Sequence, residues 1–212
     1  MTTRRLALAG LVGPPVFAVV VILLTALEWD FLHDLGWSAG LFESPDTPWP
    51  SSTALGDYGF LQVLNFLLLG LSVLALSVAL FRLLDVRRKV GPSLLALLGV
   101  GFVGSAIRTD DKNAHGGGPD TWNGAVHAAA FTVIVFAAIA SVFVLAAQFR
   151  RDERWRPMSR PSLIAGLVAL ASLVANLAGG GNLFFYIFIV VLLAWLSLLA
   201  AYALRLARSA AL

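Results

Sequence analysis

The chain contains no cysteine, which excludes a disulfide framework and any thiolate metal site. Charge is also scarce: Asp, Glu, Lys and Arg make up 13% of the 212 residues against 59% hydrophobic, too little polar surface for a water-soluble domain. Two local absences say more. From about Trp29 to Tyr58 there is no Lys or Arg, and the middles of the long apolar runs hold no ionisable residue. A charge at mid-bilayer costs about 2.5–3.5 kcal/mol on the insertion scale, and a channel or proton-coupled carrier normally needs such groups along its path. Their absence argues against both classes.

What is present is apolar sequence in lengths that cross a bilayer, roughly 20 residues for a hydrocarbon core of about 30 Å. The expected fold is all-α, a polytopic single-domain bundle of six transmembrane helices over about 6–28, 59–84, 92–107, 123–149, 161–178 and 182–206. The first run is too long for a signal-peptide core and has no small-residue cleavage site before Glu28, so it reads as a retained helix that Pro15 bends. Arg82, Arg87, Arg88 and Lys89 after the second helix, and Arg150 to Arg160 after the fourth, mark inside connections. On this topology thirteen of the fifteen basic residues fall inside, while nine of the twelve acids and all three histidines fall outside. The reading is a protein of the prokaryotic plasma membrane with both termini cytoplasmic and a long first extracytoplasmic loop. In that loop Trp29, Trp37, Trp49 and Tyr58 suit headgroup depth, while Pro45, Pro48 and Pro50 disfavour a helix through its second half, so that part of it caps the bundle. The net charge of +3 is therefore a topology signal, and no nucleic-acid partner is expected.

Polar residues cluster near the outer ends of the helices. Gln62 and Asn65 are three apart on the second helix, Asn123 and His127 four apart on the fourth, and each pair shares a face. With Ser105, Arg108 and Asn176 they outline a polar bowl within about 10 Å of the outer boundary. Between the third and fourth helices, Arg108 to His127 brings Asp110, Asp111, His115, Trp122, Asn123 and His127 together. The bland reading of the bowl is interhelical hydrogen bonding, each bond contributing about 0.6 to 2 kcal/mol. No metal is expected, because the carboxylates and histidines lack a zinc-type spacing such as HExxH. No cofactor is expected either.

Two motifs invite other chemistry. Gly36-Trp37-Ser38-Ala39-Gly40 matches G-x-S-x-G, and His115-Gly116-Gly117-Gly118 matches the HGGG oxyanion segment of esterases, which would make Ser38 a nucleophile. That elbow needs a strand-turn-helix in an α/β sheet, which this chain cannot build. Gly99 to Gly104 spells G-x-G-x-x-G, but inside an apolar helix it reads as close helix packing.

The run Pro50-Ser51-Ser52, Ala54-Leu55-Gly56 and Tyr58-Gly59-Phe60-Leu61-Gln62 through Asn65-Phe66 resembles the outside-loop and second-helix signature of the bacterial and archaeal membrane proteins grouped as domain of unknown function 998. Thr109-Asp110-Asp111, then Thr121-Trp122-Asn123-Gly124 and His127, resembles that family's Thr-Asp-Pro and His-Gly-x-x-His pattern, with Asp111 in place of Pro and Asn123 in place of the first His. The resemblance covers nearly the whole chain and implies a six-helix membrane protein, without an assigned activity.

The functional expectation is a membrane-embedded enzyme doing acid–base chemistry on a lipid or isoprenoid, with Asp110 or Asp111 as acid and His127 as base or orienting group. Gln62, Asn65, Arg108, His115, Trp122, Asn123 and Asn176 would line the substrate. The alternatives are a non-catalytic binder of a lipid or small amphiphile and an accessory protein packing on a membrane-protein partner or a second copy of itself.

Overall fold

A computed structural model describes residues 1–36, 49–84, 89–110 and 118–209. Among these residues every regular element is helical: α1 (Thr3–Leu27), α2 (Trp29–Asp34), a 3-10 turn at Pro50–Leu55, α3 (Gly59–Leu83), α4 (Val90–Ser105), α5 (Trp122–Phe149), α6 (Arg156–Leu177) and α7 (Asn182–Ser209). Five of them, α1, α3, α5, α6 and α7, are long and apolar enough to cross a membrane, and α4 is a shorter apolar helix of 16 residues. α1 runs unbroken through Pro14 and Pro15.

The long helices form a ring in chain order. α1 packs on α3, α3 on α4, α4 on α5, α5 on α6 and α6 on α7, and α7 closes the ring on α1. Inward faces carry the buried apolar core, with Leu69, Leu76, Leu98, Leu145, Leu196 and Leu199 fully covered. Outward faces are apolar too: Ile22, Leu71, Phe136 and Leu177 are exposed. A helix apolar all round needs hydrocarbon on its outer side, as a membrane supplies.

Small residues let α4 sit deep between its neighbours. A Cβ on Gly99 would crowd Leu74 and the Gly70 carbonyl of α3, and one on Gly101 would crowd Ile134 of α5. The Gly99–Gly104 motif is therefore a packing seam. Hydroxyls along the spans bond to neighbouring helices: Ser77 Oγ donates to the Pro92 carbonyl at 2.7 Å, Ser159 Oγ to Ala146 at 2.9 Å, and Trp195 Nε1 to Ser162 Oγ at 3.0 Å.

The ring's two ends differ. At the end carrying the chain termini, Trp155 is fully buried and stacks on Phe149 at 4.9 Å, the Arg154 guanidinium donates to the Leu83 carbonyl at 2.8 Å, and the Tyr202 hydroxyl donates to the Arg154 carbonyl at 2.7 Å. This packing starts α6 at Arg156, ahead of the expected 161, with Pro157 in the first turn where no backbone donor is missed. At the other end the stretch read as one loop contains structure. α2 buries Leu32, and the 3-10 turn starts on Pro50, again the position that tolerates proline, with Thr53 Oγ1 donating to the Pro50 carbonyl at 2.8 Å. Ser52, Thr53 and Ala54 are buried, and the turn that holds them packs on α1 and α3.

Candidate functional site

Inside the ring, at the end roofed by Trp49 to Leu55, lies a cavity of about 340 Å³. Its wall is aromatic because α1, α3, α4, α5 and α7 each contribute a phenylalanine: Phe17, Phe66, Phe102 and Phe185, which are buried, and Phe131, which is partly exposed. Phe17 lies 5.3 Å from Phe66 and 6.4 Å from Phe102, and Trp49 meets Phe185 edge-on at 4.3 Å. Tilted and edge-on rings at these distances gain the quadrupole attraction of aromatic pairs. The polar lining consists of Ser51, Ser105, Thr109, His127 and Thr132.

His127 is buried on the second turn of α5, with its ring edge-on to Phe66 at 6.1 Å. Nδ1 lies 2.8 Å from the Ile107 carbonyl. A carbonyl only accepts, so Nδ1 carries a proton, and in the neutral form of the ring the lone pair lies on Nε2. Ser105 Oγ is buried and finds no hydrogen-bond partner among the described residues. A buried polar atom left this way costs about 1–3 kcal/mol, so it calls for a water or a ligand group.

Asp110 has a different occupation. Its Oδ2 accepts the backbone N–H groups of Asp120 at 2.9 Å and Thr121 at 2.8 Å, and the Thr121 hydroxyl at 2.9 Å. That hydroxyl in turn accepts the Gly124 N–H at 3.0 Å, as the N-cap of α5. The carboxylate thus ties the segment after α4 to the start of α5, where the helix dipole favours a negative charge. It does not line the cavity.

The other expected residues divide. Gln62 and Asn65 are buried and paired: Asn65 Nδ2 donates to Gln62 Oε1 and to the Phe17 carbonyl of α1, both at 3.2 Å. Asn65 Oδ1 and Gln62 Nε2 have no partner among the described residues. Asn176 is buried, and its Nδ2 donates to the Gly181 carbonyl at 3.2 Å, closing the turn between α6 and α7. Arg108, Trp122 and Asn123 are exposed and do not line the cavity. Asp111, His115 and Ser38 lie outside the described residues. Among the described residues no three His, Cys, Asp or Glu side chains converge as a metal set.

Glu28, which served in the sequence only to mark a helix end, is 4% exposed. Its Oε1 accepts the Tyr58 N–H at 2.7 Å, its Oε2 has no partner among the described residues, and Gly56 packs flat on the carboxyl where a Cβ would collide. Burial raises its pKa above the ordinary 4.5; the Tyr58 bond opposes the shift and the charge of Asp57 adds to it. The signal available in sequence was an acid directly after an apolar run, with no Lys or Arg near it in the chain.

No curated protein and no solved structure matches this chain. A family model described as "Protein of unknown function (DUF998)" matches residues 11–202. That span takes in α3 to α6 whole, most of α1 and α7, the Asp110 junction and the residues lining the cavity, and it includes the segments at Gln62–Asn65 and Thr109–His127 that carry the resemblance: the chain belongs to the DUF998 family.

Proposed function

We propose that the chain binds a membrane amphiphile, with its hydrocarbon in the aromatic-walled cavity and its polar end at Ser105, Thr109 and His127. The observation that carries this reading is the cavity's composition, an apolar wall with a few convergent polar groups that include the buried Ser105 hydroxyl, which has no partner among the described residues. A volume of about 340 Å³ is in the range of small-molecule sites. The chain would be integral to the prokaryotic plasma membrane, with six crossings including the short α4, and with both termini cytoplasmic, as the basic connections suggest. The test is native mass spectrometry of the chain purified in mild detergent. A bound lipid is expected, and it should be lost in Ala128→Trp, whose indole would fill the cavity. Equal lipid content in both proteins rejects the proposal.

One observation favours the catalytic alternative: the Ile107 carbonyl holds Nδ1 of His127 and so sets the tautomer that leaves Nε2 basic. Asp110 has less support as the proton donor, since its Oδ2 already accepts three bonds; Asp111 is the remaining candidate acid. Conversion of the co-purified lipid by the wild type and not by His127→Ala would favour this reading over simple binding. An accessory role through glycine faces has less support, because Gly99 and Gly101 are used within the ring.

A further inference from the structure

A second hollow of about 310 Å³ lies between α1 and α7, lined by Ala18, Val21 and Thr25 on one side and Tyr186 and Val190 on the other. Phe17, Trp49, Pro50, Ile189 and Leu193 line both hollows, so the two are separated only by a shared wall and lie under one roof. At the rim of the outer hollow Ile22 and Val190 are 68% and 63% exposed, on the face that would meet lipid.

We infer that the ligand is a two-chained glycerolipid, with one acyl chain in the inner cavity and the second in the groove between α1 and α7. This rests on the amphiphile reading above and names its ligand class. Three features carry it. The hollows are nearly equal in volume, which suits two chains of similar length. They meet at the wall of Phe17, Ile189 and Leu193 beneath Trp49 and Pro50, the level at which two chains would join. The polar groups beside that junction are hydroxyls and an imidazole: Ser51, Ser105, Thr109 and His127 on the inner side, Thr53 on the outer. Among the described residues no Lys, Arg, Asp or Glu lines either hollow, so this lining suits an uncharged buried head portion. Ester carbonyls and a glycerol hydroxyl match donors and acceptors of this kind, whereas a buried phosphate would call for a cation. The groove also gives a lateral route from the bilayer, since its mouth is apolar.

The test compares dioleoylglycerol with monooleoylglycerol, each titrated into the detergent-solubilised full chain and read by native mass spectrometry. Wild type should retain the two-chained lipid about ten-fold more strongly. Ala18→Trp fills only the groove; it should reduce dioleoylglycerol binding to the monooleoylglycerol level and leave the latter within about two-fold. Should Ala18→Trp fold poorly, Val190→Trp, at an exposed position on the same groove, reads the same effect. No preference in wild type, or an undiminished preference in the groove variants, overturns the two-chain inference and leaves the amphiphile reading intact. Unchanged binding of both lipids in Ala128→Trp removes that reading, and this inference with it.

Discussion

The carboxylate of Asp110 occupies the space in which a side chain on Gly124 would begin, and through Thr121 it is bonded to the Gly124 backbone. Thirteen residues of chain lie between the two, yet their contact sets where α5 starts and hence where His127, one turn further on, meets the Ile107 carbonyl. Asp110 thus positions the imidazole without lining the cavity.

Gly124→Ala places a methyl group against that carboxylate. Overpacking of this kind costs about 1–3 kcal/mol, read as a lower unfolding midpoint in detergent. Asp110→Ala removes the obstacle along with the bonds, so the double variant should lose clearly less than the sum of the singles. Strict additivity would show that the two residues do not act on each other.

His127→Leu keeps an apolar group of similar bulk in the wall but loses both ring nitrogens. Retained amphiphile should fall about ten-fold, equivalent to about 1.4 kcal/mol, while the yield of folded protein is preserved. Undiminished lipid content in this variant would remove His127 from the polar end of the site.

Glu28 predicts a pH dependence of stability. Its folded pKa is raised above 4.5, so the folded chain holds this proton more firmly than the unfolded chain does. The stabilisation is fully present below the unfolded value and declines as pH rises through the folded value. Unfolding midpoints measured from about pH 4 to 8 should show that decline in wild type, and a flatter profile in Glu28→Gln, which is neutral throughout. An unaltered slope would mean that another group is responsible.

Asn65→Leu breaks the bonds to the Phe17 carbonyl and to Gln62. The expected loss is about 1–3 kcal/mol, because the buried Gln62 Oε1 loses its donor and the Phe17 carbonyl loses its interhelical bond. The double variant with Gln62→Leu should recover part of it, since two apolar groups then face each other. A double variant as unstable as the sum of the singles would show that the pair is not coupled.

The absence of cysteine makes sidedness easy to test. Single cysteines at the exposed Pro119 and Glu153 report on opposite ends of the ring. With an impermeant maleimide on intact cells, Pro119→Cys should react and Glu153→Cys only after lysis; the reverse pattern would invert the proposed orientation.

Much of the fold was readable from residue order. Bilayer-length apolar runs can only be helices, because every backbone group must be satisfied within its own segment. Breaks at Gly179–Gly181 and after Leu84 then place the turns. The burial of Gln62, Asn65, Asn176 and His127 also followed, since an amide or imidazole in an apolar helix is driven to the interior to find a partner. Arg108, Trp122 and Asn123 did not go inside, because they sit where the spans end and the chain can turn them outward at little cost.

Amino-acid order by itself determined an all-helical, lipid-solvated chain with a polar cluster at one end, because hydropathy and hydrogen-bond satisfaction act locally along each span. Only the tertiary structure decided which face of each helix looks inward. When both faces are apolar, periodicity cannot distinguish a phenylalanine that walls a cavity, such as Phe17 or Phe185, from one that meets lipid, such as Phe136. The closing of α7 on α1, the attachment of Asp110 to α5 and the burial of Glu28 against Gly56 are contacts between distant parts of the chain, and packing alone selects them.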